Sequence, residues 1–187
     1  GFAMFQQVAG TLGCQVVGPQ FPEDFDFPHE ELKESVNRRT RLIVVINPNN
    51  PTGTSVSVEQ IEDLLKTFPD IPILVDEAYY EFSGQTCVSL LSSYPNLIII
   101  RTFSKALALP SLRLGYVIAQ PDFILQLLKI RGPYDVNLVA VLAAREQLNH
   151  PGHWQKVVRH LMDESKPALE KYFGERQVKY YSSTANF

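Results

Sequence analysis

The sequence predicts an α/β layered domain, on three observations. Short apolar runs recur at residues 42–46, 71–75 and 97–100, with helix-like stretches between them. Strands alternating with helices build layered α/β domains. Those runs are continuous rather than alternating, as in strands covered on both faces. The chain has 187 residues, enough for one domain with a substantial core.

Each element can be justified in turn. Residues 2–12 space their apolar side chains as a helix does, and Gly13 is a suitable C-cap. Residues 14–17 read as a short strand. Residues 21–27 interleave aromatics with acids and prolines, so they form a loop or edge. Residues 28–36 read as a helix, with Pro28 in the first turn and Glu30 and Glu31 at its positive end. After the strand at 42–46, Ser57 caps a helix over 58–68, and Gln60 completes a capping box. The strands at 71–75 and 97–100 follow. A further strand is predicted at 113–119, with helices at 122–130 and 136–148. Residues 153–173 form a long helix bent before Pro167, and 177–181 a late strand. No repeat, low-complexity tract or linker interrupts this order.

Composition excludes several functions. A net charge of −3 gives no basic field for nucleic acid or an anionic membrane. No apolar run approaches the roughly 20 residues that span a bilayer. The opening residues lack a basic region followed by an apolar one, so no secretory signal is read and a cytoplasmic protein is expected. Cys14 and Cys87 are too few for a disulfide framework and read as reduced thiols. The sequence has no phosphate-binding nucleotide loop and no His-Glu-x-x-His. His150 and His153 flank Pro151-Gly152, a turn between helices rather than a metal site. The chain is expected to be a piece of a longer protein.

The chemistry concentrates in Arg101-Thr102-Phe103-Ser104-Lys105 and the Arg113 that follows. A lysine just past a buried strand sits at the carboxyl edge of the sheet, where α/β proteins place their sites. Burial there would lower its pKa and free an amine nucleophile. Thr102 and Ser104 add hydroxyls, and Arg113 adds a planar fork suited to phosphate. Together these suit a phosphorylated aldehyde. Adjacent residues on an extended strand point opposite ways, so Ser104 and Lys105 form no hydrolytic dyad if the strand runs through them.

Two upstream motifs add to this. Asn47-Pro48-Asn49-Asn50-Pro51-Thr52-Gly53 follows the first strand, and Asp76-Glu77-Ala78-Tyr79-Tyr80-Glu81-Phe82 closes the second. With Ser104-Lys105, Arg113-x-Gly115 and Pro133-Tyr134-Asp135-Val136-Asn137, the chain resembles the fold type I pyridoxal-phosphate aminotransferases. Within them it is most similar to the histidinol-phosphate aminotransferases. The resemblance covers nearly the whole chain but only the middle of a family member.

The resemblance implies a three-layer α/β/α large domain with a mostly parallel sheet, partial here over residues 1–187. A small C-terminal domain would start near residue 175. It implies that Lys105 forms the Schiff base with pyridoxal 5'-phosphate and then moves a proton at the substrate α-carbon. Asp76 would face the pyridine nitrogen and keep it protonated. Asn50 and Tyr79 would hydrogen-bond the phenolic oxygen. The bond between Asn50 and Pro51 is a candidate cis peptide. Thr102, Ser104 and Arg113 would form part of the phosphate cup, and Phe2 would stack on the ring. Glu77 is expected to be structural, and for Tyr80 a packing role stays open beside a site role.

The implied activity is transfer of an amino group from L-histidinol phosphate to 2-oxoglutarate, in histidine biosynthesis, by a homodimer whose partner completes each site. Three other readings stay open: a threonine-phosphate decarboxylase-like enzyme, another amino-acid aminotransferase, and a catalytically silent scaffold. The piece alone is expected not to turn over.

Overall fold

The computed structural model describes residues 3–187. Helices α1 (Ala3–Thr11) and α2 (His29–Ser35) precede strand β1 (Ile43–Ile46), helix α3 (Val58–Thr67) and strand β2 (Ile73–Asp76). A single helical turn, α4 (Tyr80–Ser83), leads to β3 (Leu97–Thr102) and β4 (Gly115–Ala119). Helices α5 (Pro121–Ile130), α6 (Leu138–Asn149), α7 (Gly152–Arg159) and α8 (Lys166–Glu175) complete the order. The sheet runs β1-β2-β3-β4. The first three strands are parallel and β4 is antiparallel to β3. This is the α/β architecture expected from the alternation, with the mostly parallel sheet that the resemblance implies.

The two faces of the sheet differ. Ile43, Val45, Ile73, Val75, Leu97 and Ile99 point to one side and pack with Ile61, Leu64 and Leu65 of α3 into the main core. Those three helix residues fall at i, i+3 and i+4, so they share one stripe. Burying each contributes about 1.5–3 kcal/mol. Ser57 starts α3 in the right place: its hydroxyl accepts from the Gln60 amide at 3.2 Å, and the Gln60 side chain returns a bond to the Ser57 amide at 3.0 Å. Val44, Leu74 and Ile98 face the other way, in register with one another. Val44 and Leu74 are only partly covered. A second cluster, built on Phe103, Ala106, Leu107, Ala144 and Val158, holds the segment after β3 against α6 and α7.

Topology sends the loops that matter to one edge. The carboxyl ends of β1, β2 and β3 lie side by side, with Ile46 beside Asp76 and Asp76 beside Ile100. Because β4 is antiparallel, its first residue, Gly115, pairs with Thr102. Arg113 therefore reaches the same edge as Lys105 although it precedes a strand.

Several sequence expectations need correction. Residues 14–17 form no strand. Val16 and Val17 are half exposed or more, and among the described residues nothing offers them a ladder. Residues 177–181 also form no strand. Their aromatics pack as side chains instead: Tyr180 lies on Phe173 and Tyr181 edge-on to Phe25. The long helix is three pieces, because a π-helical stretch, His160–Ser165, separates α7 from α8. Pro167 lacks an amide hydrogen and crowds the preceding turn, so the register widens just before it. Residues 150–151 form the expected break between α6 and α7, with His150 paired to Glu146 at 2.8 Å. Cys14 and Cys87 are both free, the first exposed and the second buried.

Candidate functional site

The Asn47–Gly53 loop is held rigidly at the end of β1. Buried Asn47 imitates a strand neighbour: its amide donates to the Val56 carbonyl at 2.8 Å and its oxygen accepts from the Val56 amide at 2.9 Å. The peptide bonds before Pro48 and Pro51 are both cis. Gly53 has φ +72°, and an added Cβ would lie 2.9 Å from the Ser183 Cα and closer still to its side chain. Only glycine meets both demands. The Thr184 amide donates to the Gly53 carbonyl at 2.9 Å, so residues 183–187 lie along this loop. Lys166 ties them down by donating to the Ser183 and Ala185 carbonyls.

This loop delivers Asn50 to the end of β2. The Asn50 side-chain amide donates to the Tyr79 hydroxyl at 2.9 Å. The Lys105 ammonium lies 5.0 Å from the centre of the Tyr79 ring. Phe187 meets the same ring edge-on at 5.0 Å. Three motifs separated by dozens of residues thus converge on one phenol.

Asp76 ends β2 on the less covered face and is 7% exposed. Burial pushes its carboxyl up to about 6, the Ala78 amide and the Lys105 charge pull it down, and Glu77 pushes it up. It accepts from the Ala78 amide at 3.1 Å.

Lys105 itself is exposed, against the burial expected from its place after a strand. The physical reason is that β3 stops at Thr102 and the chain bends, which lifts Lys105 clear of the sheet. For the same reason no strand runs through Ser104 and Lys105, so the alternation argument about that pair has no purchase. The Thr102 hydroxyl is used inside the bend, accepting from the Ser104 amide at 3.1 Å and donating to the Leu114 carbonyl at 3.4 Å. Among the described residues, the Ser104 hydroxyl has no partner. Residues 110–112 form a 3-10 turn rather than a helix. Arg113 follows with φ 54°, and its guanidinium donates to the Pro110 carbonyl at 2.8 Å. Among the described residues, its other nitrogens have no partner. Phe2 lies outside the described residues. Tyr134, in the 133–137 motif, is 94% exposed and touches none of these groups.

The sequence reading missed a charged cluster behind the site. Glu77, 1% exposed, receives two bonds from Arg101, at 3.0 and 2.8 Å, one from the Thr86 hydroxyl at 2.9 Å, and one from the Cys87 amide at 2.6 Å. The Arg101 guanidinium stacks 3.6 Å from the centre of the Tyr80 ring. Register offered the missing signal, because Asp76 pairs with Ile100, which sets the next residues, Glu77 and Arg101, side by side.

Glu81 was missed too. Its Oε2 is buried without a partner among the described residues, beside a cleft of about 340 Å³ lined by Trp154 and Arg159. Burial pushes its carboxyl up to about 7. The folded state therefore holds this proton more tightly than the unfolded chain, and its stability falls as pH rises from about 4.5 through about 7. Glu81→Gln should remove that decline and stabilise the protein at pH 8 by about 1–2 kcal/mol, allowing for part exposure. Urea unfolding at pH 5 and pH 8 would check this, and an equal pH dependence in both proteins would refute it.

The whole chain, residues 1–187, matches the family model described as aminotransferase class I and II. The chain belongs to this family. It is 37% identical over its full length to a histidinol-phosphate aminotransferase of Dehalococcoides mccartyi, covering 51% of that protein. It is 36% identical to histidinol-phosphate aminotransferase 1 of Carboxydothermus hydrogenoformans, covering 53% of it. The chain spans about half the length of these curated relatives. Its backbone superposes on the Sinorhizobium meliloti histidinol-phosphate aminotransferase, solved in complex with pyridoxal-5'-phosphate, with a TM-score of 0.88. The sequences are 23% identical, and the match covers 99% of this chain and 51% of that one. An L-threonine-O-3-phosphate decarboxylase from Porphyromonas gingivalis matches with a TM-score of 0.80 and 23% identity, over 98% of this chain and 55% of that one. At these identities the structures establish the fold.

Proposed function

We propose that this chain carries most of the pyridoxal 5'-phosphate site of an aminotransferase, acting on L-histidinol phosphate and 2-oxoglutarate to give imidazole acetol phosphate and L-glutamate. The observation that carries the reading is the meeting of Asn50, Tyr79 and Lys105 at one sheet edge, with buried Asp76 ending the adjacent strand. The donor set fits the group: an amine for its aldehyde, a carboxyl for its ring nitrogen, an amide and a phenol for its ring oxygen, and hydroxyl and guanidinium for its phosphate. When bound, pyridoxal phosphate supplies an electron sink for the substrate α-carbon.

The chain's own groups do the rest. Lys105 would hold the aldehyde and would move a proton at the substrate α-carbon as base and then as acid. Asp76 in its carboxylate form holds the ring-nitrogen proton. Tyr79, fixed by Asn50, presents its hydroxyl to the ring oxygen, and Asn50 shares that task. Ser104 and Arg113 have donors without partners among the described residues, suited to phosphate, with Thr102 shaping the bend that presents Ser104. Phe2 is assigned to the ring face. In this reading residues 1–187 belong to the cofactor-binding large domain, and a small domain begins near residue 175. The enzyme works as a cytoplasmic homodimer.

A decarboxylase acting on threonine phosphate is the second reading, supported by the fold match to the Porphyromonas gingivalis enzyme. Incubation with pyridoxal phosphate, borohydride reduction and peptide mapping test the cofactor assignment. A pyridoxyl group on Lys105, absent in Lys105→Ala, supports it. Scattered or absent labelling in the full-length protein as well would leave the scaffold reading. Assay of the full-length protein with L-histidinol phosphate and with threonine phosphate separates the two activities.

A further inference from the structure

We propose that Arg101 is a positioning residue: from β3 it grips Glu77 and Tyr80 together and thereby aims their chain neighbours, Asp76 and Tyr79, at the candidate site. The inference rests on the site reading above and extends it to a side chain that touches neither substrate nor cofactor.

The geometry is a clamp on the two residues that directly follow the site-side members of one short run. Between Asp76 and Tyr80 the chain leaves β2 and enters α4. Asp76 and Tyr79 are the site-side members. Glu77 and Tyr80 are the members Arg101 holds, the first through Nε and Nη2 on Oε2, the second by stacking at 3.6 Å. A guanidinium is planar, so its edge can meet a carboxylate while its face meets a ring. Arg101 Nη2 also donates to the Thr86 hydroxyl at 2.6 Å, which ties in the chain beyond α4. The clamp is dry: the Arg101 side chain is 10% exposed and that of Glu77 1%. Lysine could supply the charge but neither the fork nor the stacked face.

The clamp also sets the charge near Asp76. Lys105 and Glu77 are the charged groups that act on the Asp76 carboxyl, with opposite sign, and Ala78 contributes its amide. Around Arg101 stand Glu77, Tyr80, Glu81 and Tyr116. The Arg101 guanidinium stands 2.8 Å from the Glu77 carboxylate. Replacing Glu77 by its neutral isostere removes the charge that raises Asp76 and leaves Arg101 unbalanced. Both changes favour the Asp76 carboxylate.

The test uses full-length protein and two variants, Glu77→Gln and Arg101→Lys. In cofactor-free protein, carbon-13 NMR of the Asp76 carboxyl reads its titration midpoint. Glu77→Gln should lower that midpoint. Arg101→Lys keeps the charge and should leave the midpoint within a few tenths, yet weaken pyridoxal phosphate binding about tenfold, read by cofactor fluorescence on protein shown to be folded by near-ultraviolet circular dichroism. A residue that merely stabilised the fold would lower the melting temperature and move neither readout. An unmoved midpoint in Glu77→Gln overturns the inference, as does wild-type cofactor affinity in folded Arg101→Lys. If Arg101→Lys does not fold, the Glu77→Gln midpoint decides alone. If the wild type takes no cofactor at Lys105, the site reading fails, and the midpoint still judges the clamp.

Discussion

Replacing Lys105 with alanine is expected to lower amino-group transfer by the full-length protein by about 10⁴-fold or more. The estimate combines two losses. General acid–base catalysis by one positioned side chain contributes about 10²–10⁴-fold, and the anchoring of the cofactor aldehyde is lost as well. The ammonium stands 5.0 Å from the Tyr79 ring, on the edge where Asp76 and Asn50 also end. Among the described residues, no other lysine acts on Tyr79 or Asp76. Lys166 donates to the Ser183 and Ala185 carbonyls. Cofactor binding should weaken but persist, because the carboxyl, the amide, the phenol and the guanidinium remain. Single-turnover assays with a saturating amino donor measure the loss. A fall of less than tenfold would remove Lys105 from the mechanism. The adjacent Ser104→Ala is the control, since it deletes one hydroxyl and leaves the amine in place.

The parts of the fold that were legible are those whose signals are local. Apolar runs ending in polar motifs marked β1, β2 and β3, and Ser57 with Gln60 marked the start of α3. The capping bonds form as that pattern requires. The motifs also indicated a shared edge, since each follows a strand in parallel topology. What could not be read depends on distant partners. Residues 14–17 and 177–181 have strand-like composition, yet a strand exists only where a neighbour offers a ladder, and composition does not carry that information. The exposure of Lys105 depends on where β3 stops, and Phe103-Ser104 gives no punctuation. The Arg101–Glu77 pair required the register of β2 against β3. The register is visible only once the strands are aligned, although a charged residue ending each apolar run was a hint in plain sight.

That pair makes the second large prediction. Glu77→Ala should destabilise the protein by about 3–5 kcal/mol, because removing one partner strands a desolvated charge. Arg101 would keep the Thr86 hydroxyl, the Tyr80 ring and the Tyr116 side chain, and the Cys87 amide would lose its acceptor. Replacing both members, as in Glu77→Leu with Arg101→Met, should cost far less, since a buried pair exchanged for apolar side chains of similar volume is often neutral. The single variant should also depend on pH in a particular direction. Glu81 feels the Arg101 charge, and burial holds its proton up to about 7. At pH 5 it is neutral and offers the stranded guanidinium no charge. At pH 8 it is ionised and can partly replace Glu77. The penalty of Glu77→Ala should therefore be larger at pH 5 than at pH 8. Urea unfolding of the wild type, the single and the double variant at both pH values measures this. A penalty below about 1 kcal/mol at pH 5 would mean that Arg101 reaches water once Glu77 is gone, and that the desolvation argument does not hold for this pair.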